Sequence, residues 1–165
     1  MGGSRSGPSA PRRRAPRVTV AKGVQVPYPE PTSEAATIIG KANRRSGTKP
    51  ERLVRSELHR RGRRFRKDHL VRTPEVWVRV DVCFTRARVA VFVHGCFWHC
   101  CPEHGRIPKV NQAYWGPKLA ANRARDERVE RALRASGWVV LRIWEHEPIA
   151  AAADRVELAL ASANV

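Results

Sequence analysis

Val76-Trp77-Val78-Arg79-Val80-Asp81-Val82-Cys83-Phe84, followed after a polar Thr85–Arg88 segment by Val89-Ala90-Val91-Phe92-Val93, decides the fold. In the first run valine recurs at every second position, the period of an extended strand. Val76, Val78, Val80, Val82 and Phe84 are therefore expected on one face, with Trp77, Arg79, Asp81 and Cys83 on the other. The second run is apolar at every position, as a central strand covered on both faces requires. A short polar link between two such runs predicts a hairpin.

Upstream, Thr48-Lys49-Pro50-Glu51 has the spacing of a capping box, with Thr48 as N-cap and Glu51 at N3. Leu53, Val54 and Leu58 follow at helical spacing, and Gly62 is placed to end that helix. Downstream, Trp115 to Ser136 predicts a long charged helix with Leu119, Val129 and Leu133 turned inward and Gly137 beyond its end. Trp138 to Trp144 predicts a third strand, and Ala150 to Ala161 a short closing helix. The order helix, strand, strand, helix, strand, helix gives an α/β domain with a small mixed sheet flanked by helices. We expect one domain over 33–165. Residues 1–32, rich in Pro, Gly, Ser and Arg, read as a flexible basic arm, either a solvated tail or a DNA contact.

The chain has 165 residues and a formal net charge of +17, from 32 basic and 15 acidic side chains. Such an excess attracts polyanions, of which nucleic acid is the usual one, but charge alone supplies no mechanism. No apolar run is long enough to span a bilayer, and the N-terminus lacks the apolar stretch of a secretory signal. A cytoplasmic, nucleoid-associated protein of bacterial type is expected, acting as a monomer.

His94 to Pro108 has no period and carries most of the chemistry. Cys96, Cys100, Cys101 and His104 crowd this loop, and Cys101-Pro-Glu-His104 is a Cys-x-x-His pair. Soft ligands at that spacing can chelate zinc, with a fourth ligand from afar, for which His146 after the third strand is a candidate. A filled Cys/His site is structural because it leaves no open position for substrate. Either Cys100 or Cys101 can serve, and the Cys-x-x-His spacing favours Cys101. The bland alternative is a set of buried free thiols beside surface histidines.

Asp81 is the only acid in the first strand, and His94 and His99 flank the end of the second. A carboxylate and two imidazoles at one sheet edge suffice for metal-assisted phosphodiester hydrolysis, with magnesium as the hard cation and a histidine for proton transfer. Each residue has a simpler reading. Asp81 can be an ion-paired strand residue, Glu51 only a cap, and His99 another member of the zinc loop.

At Val91-Phe92-Val93-His94-Gly95-Cys96-Phe97-Trp98-His99 the chain resembles the very short patch repair (Vsr) DNA mismatch endonucleases. Thr48-x-Pro-Glu51, Asp81, Trp115-x-x-Lys118-Leu119-x-x-Asn122-x-x-Arg125-Asp126 and Gly137-Trp138-x-Val140-Leu141-x-x-Trp144-Glu145-His146 fall in the family's order. The resemblance implies a restriction-endonuclease-like fold with a structural zinc loop. It implies nicking of double-stranded DNA 5′ of the thymine in T:G mismatches left by 5-methylcytosine deamination, with a functional link to a cytosine methyltransferase. By position, Asp81 and the Val93 carbonyl would hold magnesium, His99 would act on the attacking water, and His94 and Glu51 would complete the site. Zinc would be held by Cys96, Cys101, His104 and His146. Phe97 and Trp98 would wedge into the duplex rather than serve as core rings, and Lys118 with Asn122 would reach base edges.

Three positions depart from the family: Val80 stands where Pro is usual, Cys100 where Gly is frequent, and Ile39 or Gly40 near the place of a wedging Met. Rival readings are a restriction-type or structure-selective nuclease, and a non-catalytic zinc DNA-binding module.

Overall fold

The central hairpin forms as its pattern requires. In the computed structural model, which describes residues 18–21, 24–27 and 46–163, it comprises β4 (Trp77–Phe84) and β5 (Val89–His94), paired antiparallel from Val82↔Val91 to Phe84↔Val89. β6 (Val139–Trp144) lies parallel to β5, and β3 (Arg66–Arg72) lies antiparallel to β4, giving a mixed four-stranded sheet ordered β3-β4-β5-β6. β1 (Val18–Ala21) and β2 (Val24–Pro27) make a separate two-stranded ribbon where only an arm was expected. The remainder of 1–32, and Ile39 and Gly40, fall outside the described residues.

Helix α1 (Lys49–Arg60) opens on the capping box: Thr48 accepts from the Glu51 amide while the Glu51 carboxylate accepts from Thr48. Gly62, at φ 75, turns the chain out of the helix through a conformation that costs glycine least. Helix α2 (Gln112–Ala135) begins three residues earlier than its apolar pattern predicts and ends before Gly137, at φ 76. Helix α3 (Ile149–Ala163) closes the chain. Among the described residues no helix is long and apolar enough to cross a membrane.

Two hydrophobic layers sandwich the sheet. On one face Val54 and Leu58 of α1 and Ala152, Ala153, Val156 and Leu160 of α3 bury against Val82, Phe84, Val89, Val91 and Ile143. On the other, Leu133 of α2 packs with Val71, Val80, Cys83, Ala90 and Val140. Each buried Val or Leu contributes roughly 1.5–3 kcal/mol, so these layers hold the frame on which the loops sit.

The structure corrects the expected face of β4. Val82 and Phe84 join the first layer as expected, but Val78 and Val80 pack in the second. The alternation slips at Asp81. There the β3–β4 pairing skips from Lys67↔Val82 to His69↔Val80, and Asp68 opposite is left-handed at φ 47. A local kink of this kind re-aims side chains at the point where ladder pairing stops. Val80, beside the kink, is fully buried in the second layer.

Candidate active site and metal centre

The kink opens the sheet. β4 and β5 pair no further than Val82↔Val91, and beyond that point the Asp81 carboxylate substitutes for the missing strand: its Oδ2 accepts the Val93 amide at 2.8 Å. In an extended strand the N–H and C=O of one residue leave on the same side, so the Val93 carbonyl faces the same opening. Burial pushes Asp81 up to about 6 against the opposing pull of the Val93 amide, and nearby Glu51 raises it further. The acceptors in this opening are thus all oxygen, and they carry a carboxylate that burial makes reluctant to ionise without a cation. That is the donor set a hard divalent ion takes.

Glu51 is buried and fully engaged: it accepts from Gly47, Thr48 and Arg55 while completing the cap. It lies close enough to Asp81 to add negative field to the opening.

The histidines lie at the end of β5. The His94 and His99 rings stack at 3.9 Å between centroids with planes 14° apart, and His94 meets Trp144 edge-on at 5.5 Å. Burial, followed by the neighbouring His99, lowers His94 to about 3, so it stays neutral. Its Nδ1 is buried without a hydrogen-bond partner. His99 instead meets Asp126 of α2, Nδ1 to Oδ2 at 2.5 Å. Burial alone would raise Asp126, but the His99 contact outweighs it and keeps the carboxylate ionised, so the ring donates and Asp126 accepts. In that tautomer Nε2 carries the ring's lone pair and is not bound by Asp126. His94, His99 and Asp126 also bring their ligand atoms within 4.8 Å of one another. Two rings in nearly parallel planes cannot both aim an in-plane lone pair at one ion, so we read this group as an oriented base and not a metal site.

Asp126 is the residue that the reading of single motifs missed. Its signal was present, because Arg125-Asp126 stands in the downstream motif, but only folding shows that it reaches His99 across 27 positions. Asp126→Ala removes the acceptor that fixes the tautomer. Nicking should slow by roughly 10²-fold or more, within the span of general-base contributions, while duplex binding in gel-shift assays stays unchanged.

Beside the base, Cys96, Cys101, His104 and His146 bring their ligand atoms within 4.8 Å, a cluster able to hold a metal ion. Cys96 Sγ lies 3.1 Å and Cys101 Sγ 3.7 Å from His146 Nδ1. Cys100, left-handed at φ 53, turns its sulfur away toward the Leu119 carbonyl. Burial, then Cys101, pushes the Cys96 thiol up to about 11, so a cation is what allows both sulfurs to ionise together. The loop closes tightly: the Gly105 amide bonds the Cys101 carbonyl at 2.7 Å, and a Cβ on Gly105 would fall 2.4 Å from that same oxygen. The Cys96 amide is held by Glu145, which ties the loop to the end of β6.

Phe97 and Trp98, half-buried, stand edge-to-face at 5.0 Å, and Trp115 packs on both at 5.3 and 5.7 Å. The three rings form a surface cluster separate from both core layers. Asn122 donates to the Trp98 carbonyl at 3.1 Å, anchoring the cluster to α2, with half-buried Lys118 one turn before it.

Comparison with known proteins follows the same lines. The family model for DNA mismatch endonuclease Vsr matches residues 32–103. The chain is 51% identical over 123 residues to the type II nicking enzyme V.NaeI of Lentzea aerocolonigenes, covering 74% of each. It is 47% identical over 109 residues to the type II nicking enzyme V.XorIIP of Xanthomonas oryzae pv. oryzae, covering 63% of this chain and 74% of that one. With the DNA mismatch endonuclease Vsr of Escherichia coli K12 it shares 35% identity over 71 residues, 41% of this chain and 44% of that protein.

Proposed function

The chain belongs to the Vsr family and is a DNA endonuclease, and from that premise we propose that it nicks duplex DNA 5′ of the thymine in a T:G mismatch by magnesium-dependent hydrolysis. The single observation that carries the chemistry is the Asp81 carboxylate standing in for a strand at the mouth of the sheet, bonded to Val93 beside the His94–His99 stack. Asp81 and the Val93 carbonyl would hold magnesium. When bound, the ion neutralises phosphate charge and eases attack by water. His99, its Nδ1 bound by Asp126, accepts the proton of the attacking water at Nε2. Neutral His94 backs the His99 ring, and Glu51 lends negative charge at the helix start.

Cys96, Cys101, His104 and His146 would hold zinc, the ion that two thiolates and two imidazoles suit. That centre stabilises the loop carrying Phe97, Trp98 and His99. The aromatic rings wedge beside the mismatch, where unstacking costs least, and Trp115 extends that surface. Lys118 and Asn122 face the same side and contact base edges. Nucleoid association, a functional link to a cytosine methyltransferase and a restriction-endonuclease-like fold belong to the same reading. The names of V.NaeI and V.XorIIP, type II nicking enzymes, support the nicking of one strand.

The test is a pair of end-labelled duplexes, identical except for one T:G or T:A pair, incubated with protein and magnesium. Nicking of the T:G strand alone, at least about 10²-fold faster than the matched one, is expected from the cost of unstacking a paired base. Equal cutting of both would favour a restriction-type nuclease.

A further inference from the structure

Among the described residues, half of β4 has no partner on its β5 side. Residues Trp77 to Val80 pair only with β3, so β3 and β4 run out of the sheet as a two-stranded ribbon. One face of that ribbon is covered, since Val71, Val78 and Val80 pack beneath α2. Trp77 and Arg79 alternate with Val78 and Val80 and therefore project from the opposite face, and Asp81, where the alternation slips, lies near Glu51 and Arg55 of α1, the helix on that other side of the sheet. On the ribbon that face is bare. Trp77 is 73% exposed, and the Arg72 guanidinium, cross-strand from it, lies 5.0 Å over its ring. Arg79 is exposed as well and bonds the Asp68 carbonyl and carboxylate.

An indole left three-quarters exposed has a cost that packing does not offset. Here it serves as a platform that holds one cation in place. We propose that this Arg72–Trp77 clasp, with Arg79, is a phosphate-binding surface for duplex DNA flanking the cut, continuous with the Asp81 opening. The occupant follows from charge and position: the ribbon is basic, it belongs to a chain of net charge +17, and it leads directly from the carboxylate taken to face the scissile phosphate. Four residue steps of strand lead from Trp77 to Asp81, about 13 Å at 3.3 Å per residue. That spans roughly four base pairs at 3.4 Å each. The inference rests on the proposed endonuclease reading only in taking DNA to lie across Asp81.

The experiment measures duplex affinity by fluorescence anisotropy in magnesium-free buffer for the wild type, Arg72→Ala, Trp77→Ala and the double variant. Trp77 and Arg72 are exposed, so far-UV spectra and melting temperatures should not change. On a duplex with ten pairs on each side of the nick site, each single variant should bind about five- to tenfold more weakly. The salt slope should fall by about one for Arg72→Ala, the signature of a lost phosphate contact. The double variant should be no weaker than Arg72→Ala, because Trp77 acts by holding Arg72. Trimming the duplex to two pairs on one side, and only on that side, should erase the difference from wild type. A penalty that survives trimming of either side, or no penalty on the long duplex, overturns the proposal. Wild type that binds and shows these differences yet nicks no duplex would sink the catalytic reading and leave this one standing. Wild type that binds no duplex sinks both.

Discussion

Asp81→Asn should lower the rate of mismatch nicking by about 10³-fold or more while leaving duplex binding and folding intact. The substitution keeps the shape of the side chain, and an amide oxygen can still accept the Val93 amide that Asp81 now accepts at 2.8 Å. It removes the only negative charge that β4 offers in the opening. A cation site that loses its carboxylate loses several kcal/mol of phosphate-charge neutralisation, and about 4 kcal/mol corresponds to roughly 10³-fold in rate. Stability should move the other way. Burial raises Asp81 to about 6, so in the native state its ionised form is disfavoured relative to the unfolded chain. At pH 7.5 without magnesium the variant should therefore melt at the same temperature as wild type or higher. As the pH falls through 6, wild-type Asp81 takes up a proton that the unfolded chain does not yet bind, and the advantage of the variant should shrink. Single-turnover nicking and thermal melts at pH 7.5 and 5.5 check both halves. Nicking at more than a tenth of the wild-type rate would show that Asp81 does not hold the cation, and a fall in melting temperature at pH 7.5 would show a structural role instead.

The parts of the fold legible in the sequence are those where one physical signal acts alone. Alternation in Val76–Phe84, the doubly apolar Val89–Val93 and the capping box at Thr48 each name an element, and each forms within a residue or two of expectation. β3 was illegible because Arg-Lys-Asp-His-Leu-Val-Arg buries only Val71; an outer strand with one bare face needs no apolar period. The slip at Asp81 was illegible for a different reason. Alternation is a local rule, and the kink depends on the left-handed Asp68 across the ladder and on the loss of β5 as a partner.

The candidate site divides in the same way. The crowding of Cys and His in one loop could be read locally, and the cluster does assemble with His146 from the end of β6. Sequence spacing favoured Cys101 while leaving Cys100 open, and in the structure a left-handed backbone turns Cys100 toward Leu119. Asp126 could be quoted in a motif but not paired with His99, because helix phase alone does not say which loop a carboxylate will meet. Groups near in sequence could be read locally; pairs joined by packing, such as His99 with Asp126, needed the structure.

That distinction between Cys100 and Cys101 gives the second large effect. Cys101→Ala should abolish stoichiometric metal retention and nicking, whereas Cys100→Ala should retain both. The Cys101 sulfur is buried 3.7 Å from His146 Nδ1, and its backbone anchors the loop through bonds with Cys96 and Gly105. Removing it leaves Cys96 beside two imidazoles, a three-ligand remnant from which a structural zinc dissociates readily. Loss of a structural metal belongs to the small group of changes that cost more than about 4 kcal/mol. In a domain of this size that lowers the melting temperature by on the order of 10 °C. The loss reaches catalysis because His99, Phe97 and Trp98 all sit on the segment between Cys96 and Cys101, whose hydrogen bonds to Asp126, Asn122 and Glu145 lie at single points along it. The Cys100 sulfur is not among the clustered ligand atoms, so its alanine variant gives up a 3.8 Å contact with the Leu119 carbonyl and no ligand. Native mass spectrometry reads the metal directly, independent of activity: one zinc for wild type and Cys100→Ala, none for Cys101→Ala. The reverse pattern would move the ligand to Cys100 and require the loop to rotate about its left-handed residue. Metal-free protein that melts and nicks like the wild type would show that hydrogen bonds from Glu145, Asn122 and Asp126 hold the loop unaided.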